Sequence, residues 1–512
     1  MLKQYIIIFF GSLSVFCSHL IAEFGNKGLT GSISSIIFTG SAEATTITSA
    51  NLNQAVGAYG TMYEITQEGA YILSDTLKLQ PQHEGISGLR ISASNVFLDL
   101  NNFEIYEDRS SAGTCDAIIE IGAGVSNVTI ARGRITNARG SGITINSQAS
   151  TIFIGSLAIV TCGKYGIEGH SANNITLQDI VIQYCTGTHI DAADGATSVW
   201  LANCSAIKMA HCFYEYNSQQ AGASACGVHL VNCQDCQFVQ CESNYHNGTD
   251  AFGFKVSDGS HSCSFKECNS YANKASTGNS YGFYLSNAKY CECDSCESSN
   301  HSTDAASAYG FYLDNAACNN IKNCVGNNQH SNSTVLPGEI TGFYAARGRG
   351  NSFNNCLAAH NTGPATITTG SAIGFALRNG EKNSTITNCV STNNDGKQGS
   401  AYGIMIGSST DISDVTYCIV SNNKIEFNTG ATAQYGYRDF AANSTTYLTN
   451  NTSIGHGPVY PSDPDPLTPT SAMNYLFTFT GDYRFAGSII SELDIAQLNT
   501  TRTRSNVSIL LD

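Results

Sequence analysis

The stretch Tyr281-Gly282-Phe283-Tyr284, followed by Cys291-Glu292-Cys293-Asp294-Ser295-Cys296, decides the fold, because much of the chain repeats its grammar. The opening x-Gly-apolar recurs at Cys226-Gly227-Val228, Phe252-Gly253-Phe254, Tyr309-Gly310-Phe311, Thr341-Gly342-Phe343, Ile373-Gly374-Phe375, Tyr402-Gly403-Ile404 and Tyr435-Gly436-Tyr437. Counted with Tyr281, the steps are 26, 29, 28, 32, 32, 29 and 33 residues. A unit this short is not a domain; it buries apolar surface only by stacking on its neighbours.

The second half of the unit closes on apolar-x-x-Cys. Cys162, Cys185, Cys212, Cys241, Cys268, Cys296, Cys324, Cys356, Cys389 and Cys418 read as one position in successive units. Three residues before them stand Ile159, Ile182, Met209, Phe238, Phe265, Cys293, Ile321, Phe353, Ile386 and Val415. Side chains two apart share a strand face, so the extra residue before each cysteine implies a bend that turns it inward. The residue at that bend is polar (Tyr184, His211, Gln240, Glu267, Ser295), as an outward position requires. Val96–Leu100 and Val128–Ile130 continue the pattern upstream without the cysteine, and Ile152–Ile159 and Ile175–Ile182 carry on the series. Runs this rich in β-branched residues, Asn and Gly, with no 3.6-residue stripe, predict short parallel strands.

Ser94-Asn95-Val96-Phe97-Leu98-Asp99-Leu100-Asn101 and Val125-Ser126-Asn127-Val128-Thr129-Ile130 resemble the opening coils of right-handed parallel β-helix proteins, the pectin-lyase-like superfamily. Glu68-Gly69-Ala70-Tyr71-Ile72-Leu73 is similar to the lead-in strand of that group. The resemblance covers roughly residues 60 to 455 and implies an all-β solenoid of about 13 coils. At about 4.8 Å per coil the shaft would be on the order of 60 Å long. The superfamily includes lyases, hydrolases, adhesins and phage tailspikes, so the resemblance implies no one activity.

Around the array, Lys3, the apolar run Ile6–Phe16 and the small residues Ser18 and Ala22 read as an export signal over residues 1–22. Residues 23–75 are expected to cap the solenoid, residues 76–455 to form its coils, and residues 456–470, which hold five of the eight prolines, to be a linker. Residues 471–512 form a C-terminal tail or cap, with a short helix expected over Ser488–Leu498. The chain is therefore expected outside the cytoplasm, secreted or on the cell surface, with no membrane span after the signal.

Composition narrows the partner. Charged residues make up 13 % of the chain and the formal charge is −15, with no basic run, so nucleic acid is set aside. Twenty cysteines in an exported chain invite disulfides. Stacked side chains point the same way, however, and the spacing favours free thiols acting as compact hydrophobes, with pairs such as Cys236 and Cys241 of adjacent coils the better candidates for any bridge. Cys233-x-x-Cys236 and Cys291-x-Cys293-x-x-Cys296 have zinc-like spacing but no paired histidine, so no metal site is assigned.

Two sets of candidate site residues emerge. The catalytic set is His189-Ile190-Asp191-Ala192-Ala193-Asp194-Gly195, where Asp191 and Asp194 share a turn and His170 lies one coil earlier. The Asn-Thr-Asp, Asp-Asp, Gly-His-Gly and Arg-Ile-Lys set of the superfamily's hydrolases is missing apart from Gly455-His456-Gly457, and Ala202-Asn203 stands where a lyase would carry Asp-His after Val199-Trp200-Leu201. The binding set is a column on the outer face: Tyr284, Tyr312 and Tyr344 follow the inward Phe of successive coils, His229 and Lys255 precede them, and Asp314, Arg347 and Arg378 lie beside them. Sugar rings stack on flat apolar faces while their hydroxyls take hydrogen bonds, so this column suits a glycan; its alternative is a ladder that only stabilises the sheet. The expected function is an exported scaffold that binds a polysaccharide, a surface glycan or a host protein, adhesin-like, without a cofactor. The alternative is a polysaccharide lyase or glycoside hydrolase acting on an acidic polysaccharide, with Ca²⁺ expected only for the lyase.

Overall fold

A computed structural model describes residues 44–454, apart from 55, 58–59, 189–194, 219–222, 335–337, 408–414 and 440–444, together with the strands Phe477–Thr478, Arg484–Ala486 and Ser508–Ile509. The chain is a parallel β-solenoid. One coil consists of Ala225–Val231, Gln237–Val239 and Glu242–Asn244, and the next of Ala251–Ser257, Ser264–Lys266 and Asn269–Tyr271. The coils stack in parallel register, with Val228 on Phe254, Phe238 on Phe265 and Ser243 on Ser270. Repetition of the first strand builds a 15-stranded sheet, the other two build a 28-stranded sheet, and Asn247–Gly248, Lys274–Ala275, Ser302–Thr303 and His330–Ser331 add a small third sheet at one corner. Parallel crossovers of this kind take a right hand.

Each coil turns on single left-handed residues. In the coil that opens at Ala225 these are Asn232, Asp235, Gln240 and Tyr245, with φ of 50°, 54°, 51° and 59°. The residue after each points into the dry interior: Cys233, Cys236, Cys241 and His246 are all fully buried. The bend expected before each cysteine is thus a left-handed corner.

Register corrects the ladder of ten thiols. Cys212, Cys241, Cys268, Cys296, Cys324, Cys356 and Cys389 do stack, since strands carrying Ala210, Val239, Lys266, Asp294, Lys322, Asn354 and Thr387 pair in that order. Cys162 and Cys185 belong to the other corner of the same sheet, opposite Asn217, because Gln183 pairs with Glu215. Cys418 stands opposite Ser384. All described cysteines are free thiols, and all but Cys318 are buried.

The inward corner residues share a physical task. Their backbone N–H groups need a partner, and the side chain one coil on supplies it. At one corner Asn217, His246, Asn273, His301, Gln329, Asn361, Asn394 and Asn428 form a column, fully buried throughout. The N–H of Asn217 reaches His246 Nδ1 at 3.4 Å, that of His246 reaches Asn273 Oδ1 at 3.1 Å, and the relay continues to Asn394 and Asn428 Oδ1 at 3.1 Å. At the cysteine corner the thiols do the same more weakly, as when Cys296 N–H meets Cys324 Sγ at 3.4 Å. Buried backbone donors left unpaired would be costly, which is why these interior positions are polar or sulfur-bearing rather than aliphatic.

The motif glycine has a steric cause. A Cβ on Gly282 would sit 1.9 Å from Ser298 Oγ and 2.7 Å from His301 Nε2, so the two sheets close here only around a bare Cα. The apolar residue after it fills the core: Phe254, Phe283, Phe311, Phe343 and Phe375 stack face to face, with centroids 4.8 to 4.9 Å apart.

Stacking reaches back into residues 23–75: Thr45–Ile47 pairs with Tyr71–Leu73, and Thr61–Ile65 pairs with the strand at Ile86–Ile91. Strand pairing thus runs on either side of residue 75. The export signal, the proline-rich segment, Gly455-His456-Gly457 and the helix expected at Ser488–Leu498 lie outside the described residues. Among the described residues no helix is long and apolar enough to cross a membrane.

Candidate functional site on the outer face of the 15-stranded sheet

One outward column runs through consecutive coils as Glu64, Arg90, Glu120, Thr144, Glu168, Trp200, His229, Lys255, Tyr284, Tyr312, Tyr344, Ala376, Met405 and Arg438. The expected binding residues Tyr284, Tyr312, Tyr344, His229 and Lys255 are contiguous within it. They do stack: Tyr284 on Tyr312 at 5.5 Å and Tyr312 on Tyr344 at 4.6 Å.

They are less open than the sequence suggests. Tyr344 is 5 % exposed, His229 3 % and Arg378 7 %, while Tyr284 and Tyr312 are half-buried. The cause is a second column formed by the first residue of each motif, Cys226, Phe252, Tyr281 and Tyr309. Strict alternation would send these residues inward with the following Phe. The glycine between them breaks the alternation, so Tyr281 instead lies against Tyr284 at 4.8 Å and Tyr309 against Tyr312 at 4.6 Å. Within both columns the rings cover one another's faces, so the middle of the sheet presents ring edges and phenol oxygens rather than open faces. Burial pushes Tyr284 up, and it pushes Tyr344 up to about 12 against the opposing pull of Arg378.

Charged groups border the field. Lys255 lies over the Phe252 ring at 4.9 Å and the Arg378 guanidinium over Tyr344 at 5.9 Å. Arg378 also pairs with Glu339, and Arg347 with Asp314 at 2.5 Å. Desolvated cations over aromatic faces are stabilising, and here they sit towards the two ends of the tyrosine ladder.

The strongest polar constellation on the same face lies upstream, where the sequence pointed only to His170. Glu168 is 5 % exposed and accepts hydrogen bonds from Ser141 Oγ at 2.7 Å and Lys164 Nζ at 2.9 Å; His170 Nε2 lies 2.9 Å from it. Burial alone would raise its carboxyl, but His170, Lys164 and Ser141 together outweigh burial and hold it at about 2. Trp200, next in the column, stacks on Tyr165 at 5.4 Å, and the His170 ring is tilted against it at 5.0 Å. A carboxylate, an ammonium, an imidazole and an indole thus meet on one partly exposed patch. Trp200 is the only tryptophan in the chain, which is the one sequence signal that marked this coil.

Asp191 and Asp194 lie outside the described residues, so their expected partnership with His170 has no geometry; the carboxylate that His170 meets is Glu168. Among the described residues no three or more His, Cys, Asp or Glu side chains gather as metal ligands.

No protein-family model matches the chain, and no curated protein matches it. Among solved structures it is similar to the mannuronan C-5 epimerase AlgE6 A-module of Azotobacter vinelandii, at 13 % identity over 82 % of this chain and 90 % of that one, with a TM-score of 0.35. It is also similar to PfbA, a surface adhesin of Streptococcus pneumoniae, at 9 % identity over 76 % and 84 % of the two chains (TM-score 0.30). A third is the catalytic domain of a GH87 alpha-1,3-glucanase, at 13 % identity over 75 % and 64 % (TM-score 0.30). Likeness at this level says nothing of what the chain does.

Proposed function

We propose that this parallel β-helix is an exported glycan-binding scaffold whose outer 15-stranded face receives an extended polysaccharide. The reading rests on one observation: Glu168, Lys164, His170 and Trp200 meet on one partly exposed patch, in the same outward column as the stacked Tyr284, Tyr312 and Tyr344. A sugar offers hydroxyls that both donate and accept, with an apolar ring face between them. An ionised carboxylate accepts, an ammonium donates, an imidazole does either, and an indole meets the ring. Four coils further on, about 19 Å along the axis, the edges and phenol oxygens of Tyr284 and Tyr312 extend the same track. Export rests on the N-terminal segment from Lys3 to Ala22.

A catalytic reading draws on the same patch, since a carboxylate kept ionised beside an imidazole can move protons. One experiment separates the two. The full chain is incubated with a panel of neutral and acidic polysaccharides while retention on each immobilised glycan and release of unsaturated or reducing products are recorded. The scaffold reading expects retention without product, weakened by Trp200→Ala and Glu168→Gln. Product formation lost in Glu168→Gln would replace it with the enzyme reading, and no retention on any glycan would end it.

A further inference from the structure

A different aromatic surface lies on the corner between the 28-stranded sheet and the small third sheet. Tyr184 stacks on Tyr216 at 5.3 Å, Tyr216 on Tyr245 at 5.0 Å, and Tyr245 meets Tyr271 edge-on at 5.5 Å. These rings are 48 %, 39 %, 41 % and 38 % exposed, far more open than the tyrosines of the outer sheet, and Phe213 beside them is 37 % exposed.

Folding does not account for them. Tyr184, Tyr216 and Tyr245 occupy left-handed corners, with φ of 58°, 55° and 59°. Left-handed backbone favours Asn, and Asn300, Asn328 and Asn393 fill the same corner in later coils, with Ala272, His360 and Phe427 in the others. Three successive coils therefore hold a bulky ring where a smaller residue fits the backbone better, and leave it in solvent.

The charged groups on the strands leading to the strip are carboxylates, two of them accepting from the amides of Gln183 and Asn244. Glu215 and Glu242 lie on the strands leading to Tyr216 and Tyr245, and Glu297 continues the column of Phe213 and Glu242. None of the three carboxylates forms an ion pair with a Lys, Arg or His among the described residues, whereas most acidic groups on the outer sheet face do. Aromatic rings interleaved with carboxylates that carry no ion pair attract guanidinium and ammonium groups, by cation–π contact and by charge-assisted hydrogen bonds. The planar Arg fork suits both at once. The patch around Glu168, by contrast, also carries an ammonium group, Lys164.

We propose that the Tyr184–Tyr216–Tyr245–Tyr271 corner docks a cationic, arginine-rich protein segment, separately from whatever the outer sheet binds. The test measures binding of labelled oligo-arginine and oligo-lysine peptides to the full chain at about 150 mM salt, where long-range charge attraction is screened. The expected order is oligo-arginine above oligo-lysine, with Tyr216→Asn/Tyr245→Asn weakening oligo-arginine at least about tenfold, as loss of aromatic anchors does. The double variant takes the residue of the later coils, so its melting temperature should hold or rise, and a loss of binding cannot be laid to unfolding. Glu215→Gln/Glu242→Gln should weaken binding, while Glu68→Gln/Glu84→Gln, equal in charge change but remote, should not. Equal loss in both charge pairs, unchanged binding in the tyrosine variant, or displacement of the peptide by a neutral cello-oligosaccharide would overturn the proposal.

Discussion

His301 receives the backbone N–H of Asn273 at Nδ1, 3.2 Å away, while its Nε2 lies 3.0 Å from Ser298 Oγ, which in turn donates to Gly310 O. His246 repeats the arrangement with Asn217 and Ser243. With Nδ1 accepting, each ring is held neutral with its proton on Nε2, and protonation would turn that acceptor into a donor facing another donor.

This makes stability pH-dependent. Burial drives both imidazoles down to about 3, with the neighbouring histidines adding to the effect at His301. Unfolded, they titrate near 6.5. Below that pH the unfolded chain binds protons that the folded chain refuses, so the contribution is whole above about pH 6.5 and declines as pH falls towards 3. From pH 7 to pH 5 the two histidines together should cost on the order of 4 kcal/mol. Denaturant midpoints measured across that range check it. His246→Asn/His301→Asn, which substitutes the residue of adjacent coils, should flatten the profile; an unchanged slope would show that these rings do not carry it.

Interior asparagines are expected to be as sensitive as core aromatics. Asn394 Oδ1 accepts both the backbone N–H and the side-chain amide of Asn361, at 3.3 and 2.8 Å, and Asn394 itself relays to Asn428. Asn394→Ala leaves buried donors without partners and should destabilise by on the order of 3 kcal/mol. Hydrogen exchange at the Asn361 amide should accelerate markedly, with amides of distant coils little changed.

Thiol accessibility follows from the corners. Cys318 is itself a left-handed corner residue and is exposed, whereas the other described cysteines are buried, most of them just after a corner and Cys226 under the aromatic column of the outer face. Burial also pushes thiols such as Cys115 and Cys212 well up, away from the reactive thiolate. A bulky disulfide reagent should modify Cys318 rapidly in the native protein and the remaining described thiols only after unfolding. Loss of the fast phase in Cys318→Ser checks the assignment by mass spectrometry.

The repeat made the solenoid legible, because x-Gly-apolar and apolar-x-x-Cys each mark one inward strand position per coil. Register within the cysteine series was not legible. Ile182-Gln183-Tyr184-Cys185 and Phe238-Val239-Gln240-Cys241 share one pattern yet belong to different corners, each turned by a left-handed residue (Tyr184 or Gln240) that nothing in its chemistry announces. The tyrosine column was legible by alternation, but its burial was not, because Gly282 and Gly310 break the period of two and bring Tyr281 and Tyr309 to the same face. Lys164 and His170 are close to Glu168 in sequence, but Ser141 and Trp200 come from the coils before and after it, and only the register brings them to the same carboxylate patch.

On the proposed reading a polysaccharide lies along the outer 15-stranded face. Hydrogen-exchange footprinting of the full chain with the glycan it retains best tests this most directly. Protection should appear along Tyr165–His170 and Ala196–Ala202 and extend towards Ser280–Ser286, and it should vanish at matched glycan concentration in Trp200→Ala. Protection confined to the strands around Tyr216 and Tyr245, with the outer sheet exchanging as in the free protein, would contradict it.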